Sequence, residues 1–593
     1  METIIGIDLG TTNSEVAAMI DGRLEVIASG HSNMLPSCVG LDDAGKLLVG
    51  APAKNQHSLH PDRTILAVKR RMGQAEPIPL GDRTYSPQEI SSFILRELVS
   101  WASARLGVTP EKAVITVPAY FSDAQRQATR EAGALAGLEV LRIINEPTAA
   151  SLAYEGEGGN GTLLVYDLGG GTFDVSIVRR ESDVTEVLAS HGNNHLGGDD
   201  FTALLFERLA DDFNEVSGVD VRSGEAQARA RLWWAAEEAK KLLSEQPFAT
   251  IREEALLLRD GKPVHFEREV SREEYEELIS DLVESTMESV AKALKDAGIS
   301  AGELDGILLV GGSSRTPLIQ DLLRSRSDAP LHQEVHPDLC VALGAGRLAA
   351  RLGGHAIRQT LVDITAYSYG ISFLGELDGE EYPYCYKPII SRNSPLPLTR
   401  TERYFTAFPG QTGARIEIYQ GESPDALQNI RLGEFVIEGL KPSDENATIL
   451  CKMRLDLDGI LQVSATEKET GLAASIRIEK QQTPMTEPEI HSARTKLSRL
   501  FADRGDIPEE MVLEAQANGD PEGTNGASAA ESLAANQLLE KSRSLLDRMH
   551  ADDRDEAIEL HERITNALQD GDLSELEAAM EELREIVFFV EGK

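Results

Sequence analysis

The sequence predicts a multidomain chain, an α/β region followed by a β-domain and a short helical region. Three observations carry this. The 593 residues exceed what one hydrophobic core serves, so about two to four domains are expected. The hydrophobic pattern changes from mixed strands and helices to strict alternation, then to helical spacing. One short segment of the α/β region recurs later in the same region.

Composition narrows the function. Apolar residues make up 41 %, ordinary for a globular protein. The net charge is −40, from 58 basic and 98 acidic residues. That balance argues against a nucleic-acid binder, which needs a basic footprint, and against anionic membranes. Cys38, Cys340, Cys385 and Cys451 have neither metal-ligand spacing nor a disulfide pattern, so a reducing cytoplasm fits. No signal peptide is visible in METIIGIDLG, and no apolar run approaches the ~20 residues of a membrane span.

Residues 1 to about 354 alternate short apolar strands, IIGID, AVITVP, LLVYD and GILLVGG, with helical stretches. Within this region DLGTTNSEV at 8–16 resembles DLGGGTFDV at 167–175. Each follows a strand ending in Asp-Leu-Gly and runs through small residues into another strand. Two copies of one turn imply a two-lobed fold with the ligand between the lobes.

The second copy shows what the turn is for. Gly169, Gly170 and Gly171 stand between Asp167 and Asp174. Bare glycines admit a bulky anion to the backbone, and carboxylates beside an anion require a cation between them. A phosphate ester with a metal ion satisfies both. Asp8, Gly10, Thr11, Thr12 and Asn13 repeat the arrangement, with backbone N–H groups and hydroxyls able to wrap phosphate oxygens. Glu146 precedes a proline in INEPTAA, where the chain leaves helix geometry. Lys69 is a candidate cation for the terminal phosphates. Gly311, Gly312 and Arg315 suit the close approach and stacking of a base. A P-loop motif and a dinucleotide Gly-x-Gly-x-x-Gly after the first strand are both absent. Taken singly, a glycine-rich turn is an ordinary turn and Lys69 an ordinary surface ion pair. The weight lies in five pieces within one region.

Residues 365 to 480 alternate with period two. ATILCKMRLDL puts Ile449, Cys451, Met453, Leu455 and Leu457 on one face, and Asp458-Gly459 is expected to form a tight hairpin turn into ILQVSAT. About eight short strands are expected. From about 485 the chain turns helical, with Thr486 as an N-cap and Glu489 three residues on. The breaker-rich stretch 517–530 is expected to be a flexible hinge. Leu573, Leu576, Met580, Leu583, Val587 and Val590 form one stripe, which fits a small bundle.

IGIDLGTTNS, VPAYFSDAQRQATREAG, INEPTAASLAYE, YDLGGGTFDVSIV, LGGDDF and LLVGGSSRTP together resemble the seventy-kilodalton heat-shock chaperone family, the DnaK family. The likeness is strong over the α/β region, moderate in the β-domain and weak in the terminal helices. PIISRNSPLPLTRTERYFT and the compact helical end resemble the HscC-type branch.

The resemblance implies an actin-like two-lobed ATPase domain at 1–354, a linker at 355–364, a β-sandwich peptide-binding domain at 365–480 and a short α-helical lid at 481–593. It implies ATP/ADP with Mg²⁺, and K⁺ held by Asp8 and Asp174. Asp8, Glu146, Asp167 and Asp174 match the acidic positions around Mg²⁺, mostly acting through water. Lys69 matches the catalytic lysine, and Thr11 and Thr172 the hydroxyls near the γ-phosphate. Gly197 and Gly198 match the phosphate side. Glu237, Lys240, Lys241 and Ser244 match one wall of the adenosine pocket, with Gly311, Gly312 and Arg315 opposite.

Further matches concern coupling and clients. Pro118 and Arg126 match a pair that relays nucleotide state, Asp363 the linker aspartate, and Arg142 a contact for J-domain partners. Ile371, Phe373, Leu374, Tyr404, Ala407, Ala414, Ile416 and Ile460 match positions near a bound peptide, with Leu374 and Ala407 as its arch. Ala414 is smaller than the family's usual residue, so a wider pocket is expected. The linker has Leu361 and Val362 where the family has a run of leucines, so weaker docking is expected. The implied protein is a cytoplasmic, monomeric chaperone acting on unfolded or client polypeptides with a J-domain co-chaperone and an exchange factor. Two rivals stay open here, a small-molecule kinase of the same ATPase class and a non-hydrolysing nucleotide sensor.

Overall fold

The computed structural model describes residues 3–154, 160–332, 336–357, 360–441, 445–477 and 487–502, with scattered residues between 538 and 583. Two sheets of the α/β region share one plan. In the first, strand Ile4–Asp8 lies antiparallel to Asn13–Ile20, with Asp8 opposite Glu15, and parallel to Lys112–Val117. In the second, Gly161–Leu168 lies antiparallel to Phe173–Glu181, with Asp167 opposite Asp174, and parallel to Gly306–Val310. The repeat visible in the sequence is therefore a repeat of topology and register.

The helices that clad the sheets begin and end on local signals. Helices α1 (Ala51–Gln56), α2 (Pro87–Leu106), α3 (Asp123–Ala136) and α4 (Glu146–Ala153) belong to the first half. Ser86 with Glu89, and Ser122 with Gln125, close reciprocal capping boxes on α2 and α3, satisfying backbone donors that the first turn leaves free. Helices α5 (Gly198–Ser217), α6 (Ala226–Glu245), α7 (Arg272–Ala297) and α8 (Pro317–Arg326) clad the second half. Its core gathers Tyr166, Phe173, Phe201, Phe213 and Tyr275. The first half has its own core around Ile5, Ile7, Phe93, Leu98 and Ile115. Helix α9 (Cys340–Leu352) packs on the first sheet and on α4, close enough that a Cβ on Gly6 would lie 2.1 Å from the Gly346 nitrogen.

Among the described residues the β-region holds eight strands in two four-stranded sheets. One is ordered Glu380–Ile390, Tyr369–Leu377, Gly413–Gln420, Ile430–Glu438; the other Leu398–Phe405, Thr448–Leu455, Leu461–Glu467, Ala473–Arg477. Ile371, Ile416, Ile418, Ile449, Cys451, Met453 and Leu455 fill the space between them.

Two sequence expectations need correction. Leu457 does not continue the buried face: the strand ends at Leu455, and Leu457 is 42 % exposed. The Asp458-Gly459 turn is not a two-residue hairpin, because Leu455 pairs with Leu461 across five intervening residues. Asp456 organises that loop by accepting from the backbone N–H groups of Asp458 and Ile460, both at 2.9 Å.

Within 355–364, Thr360–Val362 forms a strand that adds a parallel edge to the second sheet beside Val184–Glu186. Leu361 packs against the apolar cluster beneath that edge. Helix α10 (Glu487–Ala502) lies on α2 and α3, with Leu497 and Phe501 buried in the first core. Thr486 and the hinge at 517–530 fall outside the described residues. Of the terminal stripe, Leu576, Met580 and Leu583 are described, and all three are buried.

Candidate functional site

The two glycine turns meet face to face. A Cβ on Gly170 would lie 1.9 Å from the Thr12 hydroxyl, and one on Gly171 2.7 Å from the Thr11 methyl. Gly197 presses equally closely, 2.5 Å from the Gly170 carbonyl by the same measure. These three positions need glycine because another backbone or a threonine occupies the space. The first turn is braced from below: the Gly10 N–H donates to Ser14 Oγ at 3.1 Å, and Ser37 Oγ donates to the Gly10 carbonyl at 2.8 Å. The second is braced by the Gly169 N–H donating to the Thr172 carbonyl at 3.1 Å. Asn13 opens the strand that follows the first turn and pairs with Pro36.

Around this junction lie buried charges. Lys69 Nζ donates to Glu146 Oε1, and both side chains are buried. Asp8 accepts from Thr116 Oγ1 at 2.9 Å. Asp174 accepts from the Ala119 N–H at 3.2 Å through Oδ2, while its buried Oδ1 has no hydrogen-bond partner. Burial, then the Glu146 charge, pushes the Asp8 carboxyl up to about 7. Burial lifts Asp174 to about 6, and burial with Glu146 and Asp174 lifts Asp167 well above the carboxylate range. Burial opposes the Lys69 charge, but Glu146, Asp8 and Asp167 hold its pKa above the usual value.

One lysine does not balance Asp8, Glu146, Asp167 and Asp174. An oxygen-rich, over-negative site with an orphaned carboxylate oxygen suits a hard divalent cation such as Mg²⁺. Among the described residues no three acidic, histidine or cysteine side chains converge closely enough to hold an ion alone. Water and ligand phosphates must complete its shell, as Mg²⁺ prefers.

Sequence reasoning missed Glu15. It is 2 % exposed, and it faces Asp8 in the register in which Asp174 faces Asp167. The aligned repeats carried that signal. Burial, then Asp8, raises its pKa well above the usual value.

On the far wall, Lys240 Nζ donates to the Gly198 carbonyl and to Thr202 Oγ1, both at 2.9 Å, and pairs with Glu237 at 2.6 Å. Lys241 also reaches Glu237, at 3.3 Å, and Ser244 donates to the Lys240 carbonyl at 3.4 Å. Opposite them Gly311 has a φ of 77° and approaches the Leu168 carbonyl, Gly312 opens the short helical turn that holds Arg315, and Arg315 pairs with Asp338 at 3.1 Å. Arg70 ties the halves together through a two-pronged bond to Asp200 at 2.8 and 3.0 Å.

A continuous chain of bonds leaves this site. Asp174 accepts from Ala119, whose carbonyl accepts from Arg126 at 3.0 Å. Arg126 donates to Asn145 Oδ1 at 2.6 Å, and Asn145 donates to Asp363 at 3.0 Å. Pro118 sits beside Ala119, its carbonyl accepting from Phe121 at 3.1 Å. Pro118, Arg126 and Asp363 are thus brought together. The loop at 456–460 docks alongside: Asp458 takes Arg130, Arg142 at 3.5 Å and the Ile143 N–H at 2.9 Å. Arg142 therefore has a partner within its own chain. Arg392 with Asp296 at 2.9 Å, and the rings of Tyr120 and Tyr367 at 5.1 Å, extend the contact.

In the β-region Ile371, Ala414 and Ile416 are buried in one cluster, with Tyr404 packed against it, and the Phe373 and Tyr404 rings lie 6.0 Å apart. Leu374 and Ala407 are exposed, as an arch requires. Ile460 does not join them. Tyr404 pairs with Ile449, whereas Ile460 lies beyond Leu455, which pairs with Leu398. Six strand residues separate the two places, about 20 Å. Ile460 belongs to the loop whose Asp458 meets Arg130 and Arg142, and Ile449 is the residue beside Tyr404. Phe405 and Phe408, 61 % and 60 % exposed, flank Ala407 and were not expected.

The family model described as Hsp70 protein matches residues 4–79 and 75–591. The chaperone protein DnaK of Thermosipho africanus is 40 % identical over 592 residues, covering 98 % of this chain and 95 % of the relative. The proteins of the same name from Thermotoga petrophila and Thermotoga maritima are 44 % identical over 491 residues, covering 80 % of each chain.

Proposed function

The chain belongs to the Hsp70 family, and from that premise we propose how its residues divide the work of an ATP-hydrolysing chaperone that binds and releases client polypeptides. The observation that carries the proposal is the bonded path from Asp174 through Arg126 and Asn145 to Asp363. It joins a buried phosphate-type site to the strand that leads into a β-sandwich.

Residues 1–354 bind and hydrolyse ATP, 355–364 link, 365–480 hold the client and 481–593 cover it. The turns at Gly10–Asn13 and Gly169–Thr172, with Gly197 and Gly198, surround the phosphates. Glu237, Lys240, Lys241 and Ser244 face the adenosine across from Gly311, Gly312 and Arg315. Mg²⁺ near Asp8, Asp167 and Asp174 supplies charge neutralisation for the phosphates when bound. Incoming phosphates compete for Lys69 and free Glu146, which with Asp167 orients the attacking water. Thr11 and Thr172 donate hydroxyls to the terminal phosphate. K⁺ at Asp8 and Asp174 completes the charge balance.

Client segments lie in the β-sandwich as extended chains, against Ile371, Phe373, Tyr404, Ala414, Ile416 and Ile449, beneath Leu374 and Ala407. A J-domain co-chaperone engages Arg142 once Asp458 lets it go, and an exchange factor resets the nucleotide. The setting is the cytoplasm and the working unit a monomer. Release of a labelled peptide, followed with ATP and with ADP, tests the whole scheme. Faster release with ATP is expected, and equal rates refute the coupling.

A further inference from the structure

Another tie crosses between the two halves, of different chemistry from Arg70–Asp200. Trp234 on α6 donates its indole N–H to Nδ1 of His57 at 3.0 Å. The rings meet edge to face, centroids 5.8 Å apart. The Lys54 ammonium sits 5.1 Å from the indole centroid, and Gln227 donates to the Leu59 carbonyl at 2.7 Å. His57 follows directly on α1, which packs on the strand Cys38–Leu41 of the first half. Trp234 belongs to a helix whose Leu232 and Ala236 lie in the core of the second half. It precedes Glu237 by one helical turn.

We propose that Trp234 and His57 form a proton-sensitive clasp that holds the halves together beside the nucleotide, and that its opening sets the rate of nucleotide release. The inference rests on the nucleotide reading above. Both are positioning residues, acting through the spacing of α6 and α1.

The proton sensitivity follows from the bond. Nδ1 accepts the indole N–H only while it carries a lone pair, and a doubly protonated imidazole has none. The charged ring would also join Lys54 at the same indole. On α6 the carboxylates have cations already: Glu237 pairs with Lys240 and Glu238 with Lys241, and Arg231 of the same helix pairs with Glu253. On the side of α1, Arg63 is held by Asp43, and Asp62 is exposed. Burial places the His57 pKa below its ordinary 6.5. The closed clasp therefore disfavours the proton. Its full strength holds above pH 6.5 and is lost as pH falls through the lowered value.

The test uses the full-length protein with Mg²⁺ and fluorescently labelled ADP, chased with unlabelled ADP in a stopped-flow instrument between pH 5.5 and 8. Wild-type release is expected to quicken about fivefold on acidification, the worth of one net hydrogen bond. The site carboxyls Asp8 and Asp174 titrate in the same range, so the clasp is read from the part of the wild-type response that the variants lack. Trp234→Phe keeps the ring and loses the donor, so it should release faster than wild type at pH 8 and lose this part of the response. His57→Asn offers an acceptor that does not titrate, so it should match wild type at pH 8 and release more slowly than wild type at pH 5.5. Superimposable profiles for all three proteins overturn the clasp alone. Absence of ADP binding in every protein overturns the nucleotide reading along with it.

Discussion

The two copies of the Asp-Leu-Gly turn have the same topology but different connections. In the first, Asp8 accepts from Thr116 of its own sheet. In the second, Asp174 reaches across and accepts from Ala119 of the other half. The first copy is anchored locally, and the second is wired to the path that ends at Asp363. On the function proposed above, the two turns are two grips on one ligand, and the second is the one that reports.

The comparison can be broken most violently at the charge shared by both copies. Lys69→Ala is expected to lower single-turnover ATP hydrolysis by about 10²–10³-fold, the scale of losing one electrostatic group from a closed site. An unchanged rate would support the idle-sensor reading instead. Next comes the reporter arm. Asp363→Ala should leave peptide and nucleotide affinities measured on separate sites largely intact. Acceleration of peptide release by ATP should fall by about tenfold or more, within the usual range of coupling energies. Retained acceleration in a fluorescence release assay would show that the bonded path is not the wire.

A smaller effect sharpens the local arm. Glu15 has a pKa raised by burial and by Asp8. A carboxyl whose folded pKa exceeds its unfolded value costs stability as pH rises, by up to about 1.4 kcal/mol per pH unit between the two values. Glu15→Gln should therefore raise the melting temperature in Mg²⁺-free buffer at pH 8, with a smaller gain at pH 5. An equal change at both pH values would count against a neutral, buried Glu15. The mildest prediction lies in the β-region. Ala414→Val narrows the pocket and should shift client preference toward smaller side chains by about tenfold, the low end of what one methylene is worth in an apolar pocket. Identical peptide-array profiles would remove Ala414 from the pocket.

What was legible in the sequence was local or repeated. The match of residues 8–16 to 167–175 foretold the repeated strand-turn-strand unit, and period-two alternation foretold the strand Thr448–Leu455. What escaped depended on segments far apart in the chain. Asp458 looked like half of a tight turn because its partners, Arg130 and Arg142, lie more than 300 residues away. Ile460 was grouped with the peptide positions by the family match alone, and a match along the chain does not reveal which end of a hairpin faces the arch. Glu15 was hidden by being read as one polar residue in a strand rather than as the counterpart of Asp174. Trp234 and His57 carry no pattern at all, since a single tertiary contact leaves no period behind.

The docked edge strand Thr360–Val362 is only three residues long, so it has few rungs to lose and should unzip in one step. The ten-residue segment at 355–364 reaches at most about 35 Å when stretched. A β-sandwich that lets go stays on a short leash, at an effective concentration on the order of millimolar. Reattachment is then fast, and small changes in affinity at the far end of the leash suffice to tip the molecule from one arrangement to the other.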